Sequence, residues 1–574
     1  MSTHARPLAE WLSEASDEQL TTLFSVRRVR ADAGWQDFFD AAEALLDPTS
    51  IARILPLLTH SEAVSLLAAA AAPVTEHSPQ RATLESLALL RPDGAPFPPV
   101  VAAIADRPEP APLSLSAPTP ATDAESAHAA ERAFTTVSAL ADLLLLAREK
   151  PFALLAGGNV SAGEKRQLSE AGVAAESIDG LIEIAIDSGL VAPDARRLRT
   201  TPRTEEWLRS PVADRWSALV EGFRDALPRG VRASDGGWSS TTAWAQAHPW
   251  DPAWADRSDA LLERARLLGL ITDGGSEPAW AASIRRGENV DAAALVALLP
   301  NEVDRIFLQN DLSAISPGPL APGLDVRLRT IAARESAAQA STYRFTPESI
   351  AHALVAGETE QSILEFLESL SLTGIPQPLR YLVTQTAQRH GLVRVSIDPE
   401  TGRTRIESSD QHLIEAMAVD QGLRPLALTK HVASLTTRVG RDTVYWALTD
   451  ARYPATLVDD DGRAIARERN PITEATPDPA PDYSALIVAM RSHQGPDADA
   501  AWLDRELEAA VRAKAVLRVS VGMPDGSTRE LILEATGLGG GRLRGRDRAA
   551  DVERTLPVSS LSLIHISEPT RLGM

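Results

Sequence analysis

Apolar residues recur at helical spacing from the start of the chain. Leu8, Trp11 and Leu12, then Leu20, Leu23 and Phe24, then Phe38, Phe39, Ala42, Leu45 and Leu46, then Ile51, Ile54, Leu55 and Leu58 form successive one-sided stripes. They predict a helical unit over 1–75. The period lapses over 76–130, where Pro92-Asp-Gly94 and Ala117-Pro-Thr-Pro-Ala-Thr122 predict a Pro-rich linker or an irregular wing. It resumes over 131–210, where Ser161-Ala-Gly-Glu164 has the form of a capping box. A further helix is expected over Ala174–Ser188, stopped by Gly189, and Pro193-Asp194 then turns the chain into Leu198-Arg-Thr-Thr201. Three helices followed by a short hairpin is the winged-helix pattern.

Residues 211–300 read as a Trp-rich helical unit. The segment 301–410 alternates short strands with helices, 411–480 is a mixed α/β connector, and 481–561 opens with helices over Tyr483–Arg491 and Ala500–Ala513. Strands Val516–Val521 and Arg529–Glu534 follow, joined at Pro524-Asp-Gly526. The fold class expected is mainly α with small β elements, an α+β arrangement of tandem winged-helix-like units, a mixed domain over 301–410 and a small C-terminal β-barrel.

Length and charge narrow the choices. At 574 residues the chain holds about four domains at roughly 150 residues each. No apolar run reaches the ~18 residues of a membrane span, so no membrane association is expected. There are no cysteines, which excludes disulfides, thiol nucleophiles and Cys-based metal sites. The N-terminus has no signal-peptide pattern, and a cytoplasmic protein is expected. A formal net charge of −21 argues against bulk electrostatic binding of nucleic acid, so any DNA contact must use local basic patches.

Candidate catalytic chemistry is sparse. The histidines form no His-Glu-x-x-His and no i, i+4 pair, so no metal, cofactor or histidine base is expected. No Gly-x-x-x-x-Gly-Lys-Ser/Thr loop is present to cradle a nucleotide, and the chain is expected not to be an enzyme. Trp216, Trp238, Trp244, Trp250, Trp254 and Trp280 could stack on single-stranded bases, but no Lys or Arg lies between Trp238 and Trp254. They are expected to be core residues instead.

The segment 303–396 carries the most specific text. It contains Ile306-Phe-Leu-Gln-Asn-Asp-Leu312, Ser316-Pro-Gly-Pro-Leu320, Thr342-Tyr-Arg-Phe-Thr-Pro-Glu-Ser349, Ile363-Leu-Glu-Phe-Leu367 and Arg389-His-Gly-Leu-Val-Arg-Val395. It resembles the helicase-associated domain found at the N-terminus of XPB-type helicases and in actinobacterial proteins that lack the motor. The resemblance implies an XPB-like DNA helicase as partner and a docking segment including Phe307, Gln309, Asp311, Tyr343, Phe345 and Phe366. Residues 481–561 resemble the WYL domain, a small β-barrel of bacterial regulators of DNA damage and nucleic-acid defence. The aromatic triplet that names that family is missing, and Gly540-Gly-Arg-Leu-Arg-Gly-Arg-Asp-Arg548 stands in the region, so no small-molecule ligand is assured. The text Ser562-Leu-Ile-His-Ile-Ser-Glu-Pro-Thr-Arg571 resembles translated sequencing-adapter sequence, and 562–574 is read as a non-native tail.

Two groups of arginines are candidate DNA-backbone contacts. Arg196, Arg197, Arg199 and Arg203 lie in and after the expected wing, and Arg542, Arg544, Arg546 and Arg548 alternate along an extended stretch and so share a face. The helix in the recognition position carries Glu176, Asp179, Glu183 and Asp187 and no cation, which opposes entry into a phosphate-walled groove. The expected function is a non-catalytic adaptor that docks an XPB-type helicase and assists it on DNA in repair or transcription. The alternative is a winged-helix DNA-binding transcriptional regulator with a WYL-like sensor.

Overall fold

The computed structural model describes residues 5–567, apart from 114–115, 171, 338–340, 460, 464, 466–469, 471, 474–480, 495–497 and 523–527. The expected turn at Pro524-Asp-Gly526 and residues 568–574 lie outside the described residues. About half the chain is helical, with four sheets among the described residues, an α+β mixture. No described helix is long and apolar enough to cross a membrane. Buried apolar side chains gather into separate cores, and these cut across several of the boundaries read from periodicity.

The N-terminal core is built by the helices between Ala5 and Ala69, whose starts are fixed by side chains. Ser16 and Thr59 close capping boxes with Gln19 and Glu62, and Asp37 and Asp47 cap the helices that follow them. The stretch expected as a linker joins this core. Leu84, Leu87, Leu89, Phe97, Val100 and Ile104 are all buried in it, on and between the short helices Arg81–Ser86 and Pro98–Ile104. Their spacing is broken by turns at proline and glycine, so no single period marks them as core. The same core takes in Tyr483, Leu486, Ile487, Met490 and Trp502 from the far end of the chain.

A second core is organised by the long helix Asp123–Glu149, which runs through the expected boundary at 130. Against it pack helices Ala162–Glu170, Ile178–Asp187, Pro202–Arg209, Val212–Ala226 and Trp254–Leu267. Strand Arg197–Thr200 is central in a three-stranded sheet, between Phe152–Ala153 and Val191–Asp194. The expected units 131–210 and 211–300 therefore share one core, in which Trp216, Trp238, Trp244, Trp254 and Trp280 are all buried. Each of these five except Trp238 donates its indole N–H to a backbone carbonyl, as Trp216 does to Leu268 at 2.8 Å. Trp250 is buried in the N-terminal core and donates to Pro108.

The C-terminal sheet has the order 552–557, 542–547, 528–539, 516–522, 561–567, all antiparallel. Gly540 and Gly541, both at positive φ (59° and 69°), make the two-residue hairpin between Gly539 and Arg542. Strands 552–557 and 561–567 are its two edges and do not pair with each other, so the sheet is open where a closed barrel was expected. Hairpin turns are set locally, but closure depends on accumulated twist and strand tilt. The backbone of 561–567, part of it in the segment read as a non-native tail, pairs with Val516–Val521.

Helix Ala498–Ala513 ties this sheet to the N-terminal core. Trp502 lies in the N-terminal core, while Leu507 and Ala510 lie under the sheet. Between them Glu506 is 7% exposed. Burial pushes its carboxyl up to about 7, opposed by Arg6 and reinforced by Glu10 on helix Ala5–Glu14. The folded state thus holds the proton more tightly than the unfolded chain does. The associated stability is complete below the ordinary value of 4.5 and is lost as pH rises through about 7. Glu506→Gln is expected to stabilise the protein by ~2 kcal/mol at about pH 8 and to change little at about pH 5. Denaturant titrations at the two pH values check this, and an equal effect at both would refute it.

Candidate functional site

The segment with the most specific sequence folds as two adjoining units. In the first, strands run in the order 307–308, 313–316, 341–344, 333–337. Helices Pro322–Ile331, Pro347–Val355, Glu360–Leu370 and Gln377–Arg389 cover the sheet. The helix starts follow from sequence. Thr346 accepts from Ser349 N at 3.1 Å with Pro347 in the first turn, and Thr359 accepts from Ser362 N at 3.1 Å.

In the second unit, strands Val393–Ile397 and Thr404–Ser408 pair across the Asp398–Gly402 turn. Thr401 Oγ1 and Glu400 N donate to Asp398, holding its carboxyl below the usual range. Ser434–Thr437 and Thr429–Lys430 extend the sheet on one side, and Ala455–Leu457 adds in parallel on the other. Helices Gln411–Val419 and Arg441–Asp450 pack on it. The residues expected as a connector over 411–480 thus supply most of this second core, because the sheet is completed by strands distant in sequence.

The six expected docking residues divide. Tyr343 and Phe345 are 1% exposed and Phe366 is 5% exposed, all three within the first unit's core. They alternate or repeat on inward faces, so they hold the unit together and present nothing to a partner. The Tyr343 hydroxyl donates to Asp325 at 2.5 Å, and burial beside that carboxylate pushes the phenol well above its ordinary range. Arg327 lies 4.4 Å from the centre of the Phe366 ring and makes a two-pronged contact with Glu358 at 2.9 and 3.0 Å. Phe307, Gln309 and Asp311 are exposed on the edge strand and its turn. Asp311 accepts from Ser313 N and Oγ, which holds its carboxyl below the usual range.

The first unit is locked onto the long helix Asp123–Glu149. Asp142 accepts from both Arg329, at 2.6 Å, and Arg334, and all three side chains are largely buried. No sequence period marks this clamp, since its members lie almost two hundred positions apart; the only signal was a carboxylate inside an apolar helical run.

The wing arginines also divide. Ala195 and Arg196, both at positive φ, form the tip of hairpin Val191–Asp194 and Arg197–Thr200, and Arg196 and Arg197 are exposed there. Arg197 donates to Pro151 O at 3.2 Å, and Arg199 pairs with Asp194 at 3.1 Å. Arg203 lies on helix Pro202–Arg209 and packs beside Gly189. Helix Ile178–Asp187 is packed between helices Val212–Ala226 and Trp254–Leu267, with Asp187 paired to Arg264. What it leaves outside is Asp179, Glu183 and Ile186.

In the C-terminal sheet, Arg542, Arg544 and Arg546 all point away from the helix-covered face, alternating with buried Leu543, Gly545 and Asp547. Arg546 pairs with Asp551 at 2.7 Å and Arg548 with Glu534 at 3.3 Å. Arg542 and Arg544 have no ion-pair partner among the described residues, so they are the open part of this basic stripe.

Comparison with known families places one part of the chain. The helicase conserved C-terminal domain matches residues 306–431. No curated protein matches the chain. The match begins at the first buried residue of the first unit, Ile306, and ends in the 429–437 hairpin of the second. The segment is therefore a helicase-related domain. The family described is a helicase C-terminal one, where the sequence resemblance pointed to an N-terminal domain of XPB-type helicases; the two agree on helicase association and on position.

Proposed function

We propose that this chain is an adaptor that associates with an XPB-type DNA helicase and assists it on DNA. The observation that carries the reading is a helicase-type domain at 306–431 in a sequence without a Gly-x-x-x-x-Gly-Lys-Ser/Thr loop. A docking role falls to the exposed edge at Phe307, Gln309 and Asp311, and DNA contact to Arg196, Arg197, Arg542 and Arg544. In a chain of net charge −21 such contacts act locally on phosphates and read no bases. A winged-helix regulator that reads sequence is the weaker interpretation, because helix Ile178–Asp187 would bring Asp179 and Glu183 into the groove.

The test is DNA-stimulated ATP hydrolysis by an XPB-type helicase from the same source, with and without this protein. A higher rate, with no hydrolysis by this chain alone, supports the adaptor. No change, together with a sequence-selective footprint, moves the reading to the regulator. For the basic stripe, Arg542→Glu with Arg544→Glu is expected to weaken DNA binding uniformly across sequences. The slope of log affinity against log salt should fall by about one to two units. An unchanged slope removes these arginines from the interface.

A further inference from the structure

A cleft of about 1740 Å³ opens where the second core and the two helicase-type units meet. Its walls are the end of helix Asp123–Glu149, helices Pro202–Arg209, Pro322–Ile331 and Pro347–Val355, the end of Gln377–Arg389, and the turn after Arg441–Asp450. Ala351, Val355, Leu382 and Leu413, all partly exposed, line it with apolar surface.

The cations around this surface are of two kinds. Arg148 and Arg209 share Glu205, and Arg327 is held by Glu358, so their charge is answered within the fold. Arg389 and Arg452 are exposed in the cleft and have no carboxylate partner among the described residues. The turns carrying them are joined. Val393 N donates to Pro454 O at 3.1 Å, and His390 Nε2 lies 3.2 Å from Thr456 Oγ1.

Arg452 also closes a helix in the left-handed conformation, as Arg28, Ala88 and Lys514 do elsewhere in the chain. It follows helix Arg441–Asp450 with a φ of 63°. Arg452 N donates to Thr449 O and Tyr453 N to Leu448 O, both at 2.9 Å, the paired closure that usually places glycine at this position. A side chain there costs backbone energy that glycine would not. The guanidinium makes no hydrogen bond or ion pair among the described residues that offsets this cost. The arginine therefore works against the fold locally and lines the cleft.

We propose that this cleft docks a peptide segment of a partner protein, with apolar side chains on the surface of Ala351, Val355 and Leu382 and carboxylates paired to Arg389 and Arg452. Charge complementarity supplies the acidic requirement, since the guanidinium groups of Arg389 and Arg452, on turns joined by hydrogen bonds, have no carboxylate partner among the described residues and can each take one. A nucleic-acid strand fits less well, because Glu149, Glu348 and Asp410 also line the cleft and would meet its regularly spaced phosphates. The inference does not depend on the helicase reading and survives its failure.

The experiment is selection of a random displayed-peptide library on the full chain, followed by affinity measurement of the enriched peptides on wild type, Arg389→Gln and Arg452→Gly. Enriched peptides should combine Leu, Ile or Phe with Asp or Glu, and should bind each variant about tenfold more weakly. Arg452→Gly should keep or raise the thermal midpoint, because it relieves the left-handed backbone, so its loss of binding cannot come from unfolding. No enrichment, enriched peptides without carboxylates, or binding to either variant as tight as to wild type overturns the proposal. So does displacement of the peptides by an oligothymidylate, which would make the cleft a nucleic-acid site.

Discussion

Replacing Trp216 by alanine is expected to cost about 3–5 kcal/mol of stability, the range for a large aromatic removed from a close-packed interior. Trp216 is 1% exposed and lies on helix Val212–Ala226 within the core that also holds helix Trp254–Leu267. Its indole N–H donates to Leu268 O at 2.8 Å, where the latter helix ends. The substitution leaves a cavity and an unanswered buried carbonyl together, and the two effects act in the same direction. Denaturant unfolding followed by circular dichroism measures the loss. The result also decides the role of the tryptophans, because a residue kept for base stacking would lower single-stranded DNA affinity and barely move the midpoint. A change below about 1 kcal/mol would mean that this core does not depend on Trp216 in the way its burial indicates.

The second large effect is expected at Asp142. Alanine there removes the common acceptor of Arg329 and Arg334 and leaves two largely buried guanidinium groups without it. Breaking a buried charge cluster on one side typically costs 3–5 kcal/mol; with side chains that keep 14–21% exposure, about 2–4 kcal/mol is expected. Arg329 retains only the longer contact to Asp325, at 3.8 Å. The damage should be regional, since Asp142 belongs to the long helix and its partners to the helicase-type unit. Hydrogen exchange is expected to quicken over 322–344 before it changes over 212–267. A uniform change across both regions would show that the clamp is not what joins them.

Several parts of the helicase-type segment were legible in the sequence because their determinants are local. Thr346-Pro347 and Thr359 set helix starts through side chain to backbone bonds within four residues, and Asp398–Gly402 forces its hairpin. The expectation that the tryptophans are core residues followed from the lack of interleaved cations, and six of them are buried. Three of the six expected docking residues, Tyr343, Phe345 and Phe366, are buried, for a definite reason. Tyr343 and Phe345 are two apart on an extended stretch and must share a face, but periodicity does not say what covers that face. Helices Pro347–Val355 and Glu360–Leu370 cover it here.

Taken alone, the sequence determined the local elements and the main chemical limits: helix starts at capping residues, hairpins at Asp398–Gly402 and Gly540-Gly541, no thiol chemistry, and no nucleotide-binding loop. Tertiary structure decided how the pieces combine. It placed Tyr483 and Trp502 in a core begun at Ala5, turned an expected linker into part of that core, and joined 393–408 to strands at 434–437 and 455–457. It also separated arginines answered by carboxylates from Arg389, Arg452, Arg542 and Arg544, which have no carboxylate partner among the described residues. The physical reason is one of range. Caps and turns are fixed by bonds within a few residues, whereas burial and charge pairing depend on which surfaces meet, and residues far apart along the chain settle that together.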